Sequence, residues 1–267
     1  MHQGQRLWLL AGTGEGPPLA AQMLQRGWRV RVSVVTAAAA AAYRSLEAAS
    51  TGPALELAVG ALAGPAAITA ALEQACHQGD PFAALIDATH PFARQISQDL
   101  ALVCADSGVP LLRLGRVLQQ PRDATVLPDL AGLQGCALAG RSVLLALGAR
   151  QLAAAVSCSP GARHHARVLP APAALRQALA AGLDPARLAA LRPSRDFAIE
   201  TALVRRWGIH AIVCRQSGGA IEAGWRLVSQ RCGCQLVLLA RPAEPHAVVP
   251  LSEAALLATL EALLAKG

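Results

Sequence analysis

The chain has 267 residues, a length that suits two small α/β domains, each with a core of its own. Although 54% of the residues are hydrophobic, Gly, Pro or a charged residue interrupts every long apolar run, which excludes a membrane-spanning helix. The formal charge is +7, but Lys266 is the only lysine and the arginines stand singly or in pairs, which favours small carboxylate or phosphate ligands over nucleic acid.

The N-terminus and the cysteines indicate the cellular compartment. The first six residues lack the apolar stretch of a signal peptide, so we expect a cytoplasmic protein without membrane contact. The seven cysteines are scattered, several of them within apolar runs, and we expect them to remain thiols. Cys232 and Cys234 lack a second ligand pair at zinc spacing, so no metal site is predicted.

Strands and helices alternate through residues 1–115, the expected N-terminal domain. The hydrophobic pattern predicts strands over residues 7–10, 28–35, 55–59, 82–86 and 109–112. The helices between them are expected after a Gly-rich turn at residues 12–16, from Thr36, over residues 66–76 and from Pro91 to Ser107.

Gly and Pro break this pattern over residues 116–140, where we place the crossover to the C-terminal domain, residues 141–267. That domain repeats the alternation, with strands predicted over residues 142–147, 165–169, 187–191, 210–214 and 235–239. Its last helix, residues 252–265, is expected either to belong to this domain or to pack back on the N-terminal domain. Strands that alternate with helices indicate parallel sheets, and hence an α/β fold with two domains and an interdomain cleft.

Open parallel sheets bind ligands at the carboxyl ends of their strands. Four marked segments follow predicted strands: the glycine turn (residues 12–16), the Asp87 loop (residues 87–93), Gly148, and residues 216–219. We therefore expect the functional site to be built from these loops.

The glycine turn follows the first strand and opens a helix. Gly12, Thr13 and Gly14 are candidates to hold a pyrophosphate with backbone N–H groups, helped by the helix dipole. The alternative is a tight turn whose glycines need positive φ. Glu15 is unusual beside a phosphate, and we expect it to cap the helix or to contact a ribose hydroxyl.

The end of the second strand bears on the choice of cofactor. NAD-selective sites place an acid there to bind the ribose 2′-hydroxyl, whereas this chain has Ser33 and Thr36 with Arg29 and Arg31 close by. A 2′-phosphate is therefore tolerated and NADPH is favoured, unless the arginines only form a solvated strand face. Because Tyr43 is the only tyrosine and no lysine is near it, the tyrosine–lysine pair of short-chain dehydrogenases is excluded.

Three motifs occur in a fixed order: Gly12-Thr13-Gly14-Glu15, the Asp87-Ala-Thr-His-Pro-Phe-Ala93 segment, and Ser217-Gly218-Gly219. With them the chain resembles the precorrin-6A reductases of the cobalamin pathway over nearly its whole length. The resemblance implies two Rossmann-like domains and an NADPH-dependent reduction of one ring double bond of precorrin-6A to precorrin-6B. The cobalt-containing form of the substrate is an equal alternative.

The implied substrate is a tetrapyrrole macrocycle with many carboxylates, which guanidinium groups bind bidentately. Five arginines beside strand ends or marked loops are candidate substrate-binding residues: Arg94, Arg116, Arg150, Arg167 and Arg215. For each one, a solvated surface position is an equally good interpretation.

The Asp87 loop supplies three further candidates. His90 is the candidate catalytic residue, as a proton donor to a ring carbon, although binding of a substrate carboxylate is its preferred role. Asp87 is a candidate for substrate binding and Thr89 for cofactor binding. Alternatively, Asp87 accepts hydrogen bonds from backbone N–H groups of the loop and Thr89 caps the following helix.

The late turn contains Ser217, Gly218 and Gly219 ahead of a predicted helix. Their N–H groups are candidates to bind a cofactor phosphate or a substrate carboxylate. Arg215 and Gln216 precede them where the resembling family usually has Lys-Asn, so the contacts at this turn are expected to differ in geometry.

Two other classes of function stay open. A two-domain transferase would use a nucleotide-linked donor, and it would bind sugar nucleotides rather than NADPH. A non-catalytic anion-binding module is less favoured, because marked loops occur in both halves of the chain. The oligomeric state is open, with a monomer as the starting assumption.

Overall fold

The computed structural model describes residues 4–49, 54–118, 123–245 and 248–264. The chain divides into two compact units, one comprising Met1–Arg116 with Pro242–Gly267 and the other Val117–Arg241. Several positions used above lie outside the described residues, namely residues 1–3, 50–53, 119–122 and 265–267. The final helix falls in the first unit, and most of the expected crossover falls in the second.

The described residues form twelve strands, most of which coincide with short apolar runs of the sequence. In chain order they are β1 Arg6–Ala11, β2 Arg29–Val34, β3 Leu55–Val59, β4 Phe82–Ala88, β5 Leu111–Leu114, β6 Thr125–Leu127, β7 Ser142–Ala146, β8 Arg163–Val168, β9 Leu188–Ala190, β10 Ala211–Arg215, β11 Gln235–Leu239 and β12 Pro250–Leu251.

The helices of the described residues lie between these strands. They are α1 Gly16–Gln25, α2 Ala37–Ala40, α3 Arg44–Ala49, α4 Gly64–His77, α5 Arg94–Ser107, α6 Leu152–Cys158, α7 Pro172–Ala180, α8 Ala198–Arg206, α9 Ala220–Cys232 and α10 Glu253–Leu264. Short 3-10 turns occur at Ala41–Tyr43, Leu130–Gly135, Ala149–Gln151 and Pro185–Arg187. Gly108 ends α5 in the left-handed conformation, as its position after the helical pattern predicts.

The first sheet has the strand order β12-β5-β4-β1-β2-β3, and its described pairings are parallel. Strand β1 lies between β4 and β2, and its side chains alternate between two buried clusters. Leu7 and Leu9 pack with α1 and α10 on one face, while Trp8 and Leu10 pack with α4 and α5 on the other. A strand covered on both faces is apolar throughout, which explains the continuous run in the sequence.

The second sheet has the order β6-β11-β10-β7-β8-β9, again with parallel pairings. One buried cluster packs α8 and α9 against it. Within this cluster the ring of Phe197 meets Trp225 edge-on at 5.6 Å, and Phe197 has a φ of 56°. Gly224 makes room for that ring, because a Cβ there would lie 2.0 Å from it. The prediction of an α/β fold with two Rossmann-like parallel sheets is confirmed.

Two strands escaped prediction because they are very short. β6 has three residues and β12 has two, and a proline follows or begins each of them. The expected start of α5 at Pro91 is also wrong, because Pro91 and Phe92 form a turn and the helix begins at Arg94. Within the described residues, no helix is long and apolar enough to span a membrane.

Candidate functional site

The glycine turn and the Asp87 loop leave adjacent strands of the first sheet. Strands β1 and β4 pair in parallel, with Leu10 opposite Asp87 and Ala11 opposite Ala88, so both loops begin at the same edge. From this central pair the strand order continues in opposite directions, with β2 and β3 beyond β1 and with β5 beyond β4. Such a reversal of strand order is where open parallel sheets form their ligand crevice.

The glycines of the turn serve two different purposes. Gly12 and Gly14 have no positive φ, and a Cβ on either would meet nothing within 4 Å. The alternative of a turn that needs positive φ is therefore wrong, and the open space suits close approach of a ligand to the backbone. A Cβ on Gly16, in contrast, would lie 2.1 Å from the Tyr43 hydroxyl and 2.8 Å from the Ala11 Cβ, so this glycine is required by packing.

The first turn of α1 supplies fewer N–H donors than its glycine-rich start predicts. Pro17 and Pro18 occupy the second and third helical positions and have no N–H group. The N–H of Gly16 donates to the Thr13 carbonyl at 3.2 Å. A phosphate at this helix would therefore depend on the N–H groups of residues 13–15 and on side chains.

Glu15 does not cap the helix, contrary to one of the two expectations for it. Its carboxylate accepts a hydrogen bond from the Thr13 hydroxyl at 3.0 Å and one from Arg116 Nε at 2.8 Å. Arg116, which follows β5, is nearly buried in this ion pair, with 9% of its side chain exposed. The pair cancels the negative charge that made Glu15 unusual beside a phosphate.

The polar residues at the end of β2 both hydrogen-bond to other groups of the protein. Ser33 is buried, and its hydroxyl accepts a hydrogen bond from Trp8 Nε1 at 2.8 Å. Thr36 is exposed and caps α2 by accepting a hydrogen bond from the Ala39 N–H at 3.2 Å. Thr36 is thus the more accessible of the two candidate cofactor contacts.

The two arginines of β2 do not support the expectation of a 2′-phosphate contact. Arg29 is the first residue of the strand, far from its carboxyl end, and its guanidinium pairs with Asp80. Arg31 lies over the Trp8 ring at 5.2 Å, with its Nε 3.4 Å from a Glu56 carboxylate oxygen. Both guanidinium groups already have anionic partners away from the ligand edge.

Asp87 is the centre of a buried ionic cluster. One carboxylate oxygen accepts hydrogen bonds from the Thr89 N–H at 3.0 Å and the Thr89 hydroxyl at 2.7 Å, while the other pairs with Arg113. Arg113 also donates to Ser97 Oγ at 2.9 Å and pairs with Glu244. This geometry favours the structural alternative for Asp87, and it corrects the expectation that Thr89 caps the helix.

Sequence reasoning missed Arg113 and Glu244. Arg113 was visible as a charged residue within an apolar strand, which is a signal for a buried ion pair. Glu244 lies in the segment that returns to the first unit, and no local pattern links it to β5.

His90 follows the Asp87–Thr89 pair on the same loop. Its Nδ1 accepts a hydrogen bond from the Phe92 N–H at 3.2 Å, and the two rings lie 5.7 Å apart. Because Nδ1 is the acceptor, the neutral imidazole carries its proton on Nε2. Arg94 is exposed and lines a shallow depression that also includes Glu244.

In the second sheet the strand order reverses between β7 and β10. Arg215, the last residue of β10, donates from Nε to Gln151 Oε1 at 2.9 Å, which joins the loops that follow these two strands. Burial, and secondly the neighbouring Arg150, lowers the pKa of Arg215. Arg150 itself is exposed, beside Gly148 with its φ of 85°.

The late turn is less available to an anion than expected. The Ser217 N–H donates to the Arg215 carbonyl at 2.9 Å, and the Gly218 N–H donates to the Glu222 carboxylate at 2.7 Å. Glu222 is buried and pairs with Arg226 one turn later. A carboxylate of the protein therefore occupies the start of α9, and Gly219 is the member of the turn whose N–H is not engaged in these contacts.

Arg167 differs from the other candidate arginines. Its Nε and Nη2 are buried and have no hydrogen-bond partner within the described part of the chain. Burial is the main cause that lowers the pKa of Arg167, and the charge of Glu200 opposes this effect. Glu200 accepts a hydrogen bond from the Ser194 N–H at 2.9 Å and also binds the Ser194 hydroxyl. Arg167 lies one residue before the end of β8, at the ligand-binding edge of its sheet.

No group of three or more His, Cys, Asp or Glu side chains among the described residues could hold a metal ion. All seven cysteines are free thiols.

Comparisons with known proteins identify the family. The family model described as precorrin-6x reductase CbiJ/CobK matches residues 6–264. A cobalt-precorrin-6A reductase of Synechocystis is 32% identical over 245 residues, which is 88% of this chain and 88% of that protein. A precorrin-6A reductase of Mycobacterium tuberculosis is 29% identical over 250 residues, covering 91% of each chain.

One solved structure supports the fold. It is described as CobK precorrin-6A reductase, has 24% sequence identity and a TM-score of 0.73, and the match covers 97% of both chains. The resemblance inferred from the three motifs is confirmed, and the chain belongs to the precorrin-6x reductase family, whose members are oxidoreductases.

Proposed function

We propose that this protein uses NADPH to reduce one ring double bond of precorrin-6A, or of its cobalt-containing form, in cobalamin biosynthesis. One observation carries the proposal: the glycine turn and the Asp87 loop lie side by side where the strand order of the first sheet reverses. This juxtaposition puts an open backbone surface for a cofactor next to the loop that carries His90.

The residues of the glycine turn fit a nicotinamide dinucleotide. Gly12 and Gly14 leave room for a diphosphate close to the backbone, and the Glu15–Arg116 pair removes the repulsion it would meet. When bound, the cofactor supplies the hydride for the reduction. We infer NADPH rather than NADH because residues 33–40 contain no acid that could bind a ribose 2′-hydroxyl.

Among the candidate arginines, Arg167 is the one best suited to bind a substrate carboxylate. A buried guanidinium with two unpartnered nitrogens is costly, and a carboxylate would satisfy both nitrogens in a bidentate contact. Arg94 and Arg150 are exposed and could add further contacts, and Arg215 lies at the strand reversal of the second sheet. Arg116 is reassigned from substrate binding to neutralising Glu15.

His90 completes the proposed site. Because Nδ1 accepts a hydrogen bond from the Phe92 N–H, the neutral ring carries its proton on Nε2. We propose that Nε2 donates a hydrogen bond to a substrate carboxylate, with proton transfer to the ring as the alternative role.

The test is to incubate purified protein with NADPH and precorrin-6A, with and without cobalt, and to follow NADPH absorbance. We expect oxidation with one of the two macrocycles, and slower oxidation when NADH replaces NADPH. No oxidation with either macrocycle would contradict the proposed function. Binding of sugar nucleotides in place of NADPH would favour a transferase instead.

We further infer a cytoplasmic monomer that binds neither nucleic acid nor membranes. Seven free thiols are typical of a reducing compartment. Size-exclusion chromatography with light scattering tests the oligomeric state.

A further inference from the structure

Tyr43 is the only tyrosine in the chain, and it ends the 3-10 turn Ala41–Tyr43 that follows α2. The residue is 2% exposed, and its hydroxyl has no hydrogen-bond partner within the described residues. Burial raises the pKa of Tyr43 to about 12, so the hydroxyl keeps its proton at neutral pH. It is therefore a buried donor for which the described part of the chain supplies no acceptor.

The hydroxyl is aimed at the start of α1. A Cβ on Gly16, the first residue of this ten-residue helix, would lie 2.1 Å from the hydroxyl oxygen. The Tyr43 side chain thus passes through the core of the first unit and ends at the glycine turn. Gly16 is also the last residue of the glycine turn, so the hydroxyl lies beside the turn at which the dinucleotide is proposed to bind.

This end of α1 lacks donors of its own. The N–H groups of a helix's first turn have no partner within the helix and can bind an anion, but Pro17 and Pro18 have no N–H group and the Gly16 N–H donates to the Thr13 carbonyl. A diphosphate at this helix would keep the favourable dipole and lose the usual hydrogen bonds.

We propose that the Tyr43 hydroxyl donates a hydrogen bond to the diphosphate of the dinucleotide held by the glycine turn, in place of the N–H groups that Pro17 and Pro18 cannot supply. The inference rests on the proposed function, because it takes the cofactor to be a nicotinamide dinucleotide. A phenylalanine would fill the same core space without leaving a buried hydroxyl unsatisfied, so the hydroxyl needs an acceptor that the described residues do not provide.

The first test compares the wild type with Tyr43→Phe by titrating each with NADPH, NADH and ADP. Because all three ligands contain the diphosphate, we expect each to bind about tenfold more weakly to the variant, as for loss of one hydrogen bond to a charged group. Adenosine 2′,5′-bisphosphate lacks the diphosphate bridge and is expected to bind both proteins equally.

Trp28→Phe is the matched control. Trp28 Nε1 is also buried and has no hydrogen-bond partner in the described ranges of the chain. Trp28 packs in the same core cluster, but it lies at the amino end of β2. This variant is expected to keep the wild-type Kd for NADPH. A weakening equal to that of Tyr43→Phe would overturn the proposal, because it would show a general effect of disturbing the core.

The outcomes separate this inference from the proposed function. If the wild type binds none of the dinucleotides, the cofactor assignment itself fails. If the wild type binds them and Tyr43→Phe binds equally well, with a higher melting temperature, the hydroxyl is only a buried unsatisfied group and the Tyr43 inference alone fails.

A second measurement needs no variant. Because the chain has one tyrosine, protein labelled with ¹³C at the tyrosine ring gives one resonance for the Tyr43 carbon that bears the hydroxyl. ADP is expected to shift this resonance and adenosine 2′,5′-bisphosphate to leave it in place. No shift at saturating ADP would overturn the proposal even if Tyr43→Phe fails to fold.

Discussion

Arg116 and Glu15 form an ion pair across 101 residues of sequence, with Arg116 Nε 2.8 Å from a Glu15 carboxylate oxygen. The pair links the end of β5 to the start of α1, on the edge of the first sheet where the proposed cofactor binds. Without Arg116, a carboxylate would face the diphosphate within the first turn of the helix. In the proposed function, the guanidinium therefore makes this edge acceptable to the diphosphate by neutralising Glu15.

We predict that Arg116→Ala weakens NADPH binding about tenfold, because it uncovers the Glu15 charge beside the diphosphate. The double variant Glu15→Gln/Arg116→Ala removes both charges and is expected to regain most of the lost affinity. Isothermal titration with NADPH measures both. If the double variant binds NADPH as weakly as Arg116→Ala, Arg116 contacts the cofactor directly.

Much of the first sheet could be predicted because its signals are local. The continuous apolar runs of β1 and β4 predict buried parallel strands, and the loops that follow them are marked by Gly12, Gly14 and Asp87. The positions of these strands also place the two loops at one edge. The two loops are adjacent because β1 and β4 are neighbours in the sheet. The sequence alone does not give this strand order, which is expected only from the general topology of α/β folds.

The partners within the site could not be predicted in the same way. Arg113 meets Asp87 and Glu244 across 26 and 131 residues, and neither spacing belongs to a local motif. The final placement of Glu244 depends on the chain returning to the first unit at residue 242. Long-range ion pairs of this kind are fixed by tertiary packing rather than by periodicity.

The buried cluster around Arg113 yields a stability prediction. Arg113→Met leaves the Asp87 carboxylate, which is 1% exposed, without its cationic partner. Breaking a buried pair from one side costs about 3–5 kcal/mol, so we expect a marked fall in the free energy of unfolding. Urea denaturation followed by circular dichroism measures it.

Glu244→Gln is the control for this prediction. Its side chain is 23% exposed, so its loss leaves Arg113 still paired with Asp87 and is expected to cost far less. Equal stability of Arg113→Met and the wild type would show that the cluster contributes nothing to folding.

The hydrogen bond from the Phe92 N–H to His90 Nδ1 allows the two functions of the histidine to be separated. His90→Asn places an amide oxygen where Nδ1 lies and can keep this loop contact, but it has no counterpart of the Nε2 donor. We expect a variant that folds normally, with kcat/KM for the precorrin lowered about 10- to 100-fold and the Kd for NADPH unchanged. Wild-type kinetics in His90→Asn would assign His90 to the loop structure alone.

Two neighbouring histidines of β8 predict how stability depends on pH. Burial lowers the pKa of both His164 and His165 in the folded protein, and the His165 ring lies 5.0 Å from the Trp207 ring at a tilt of 35°. Below about pH 6.5 the unfolded chain takes up protons that the folded chain resists, so stability falls from that pH until the folded pKa values are passed. Melting temperatures measured from pH 7.5 to 5.5 should decline, and the double variant His164→Gln/His165→Gln should show a flatter profile.

Two nitrogens of Arg167, Nε and Nη2, are buried and have no partner among the residues that the structure describes, which gives opposite expectations for stability and for substrate binding. Arg167→Leu removes two buried donors without hydrogen-bond partners, and Glu200 keeps its bonds to Ser194, so we expect stability to hold or rise. If the guanidinium binds a substrate carboxylate, the same variant raises the KM for the precorrin about tenfold or more. The Kd for NADPH should stay constant, because the glycine turn proposed to bind its diphosphate belongs to the other unit. A stable Arg167→Leu variant with an unchanged KM would show that Arg167 does not bind the substrate.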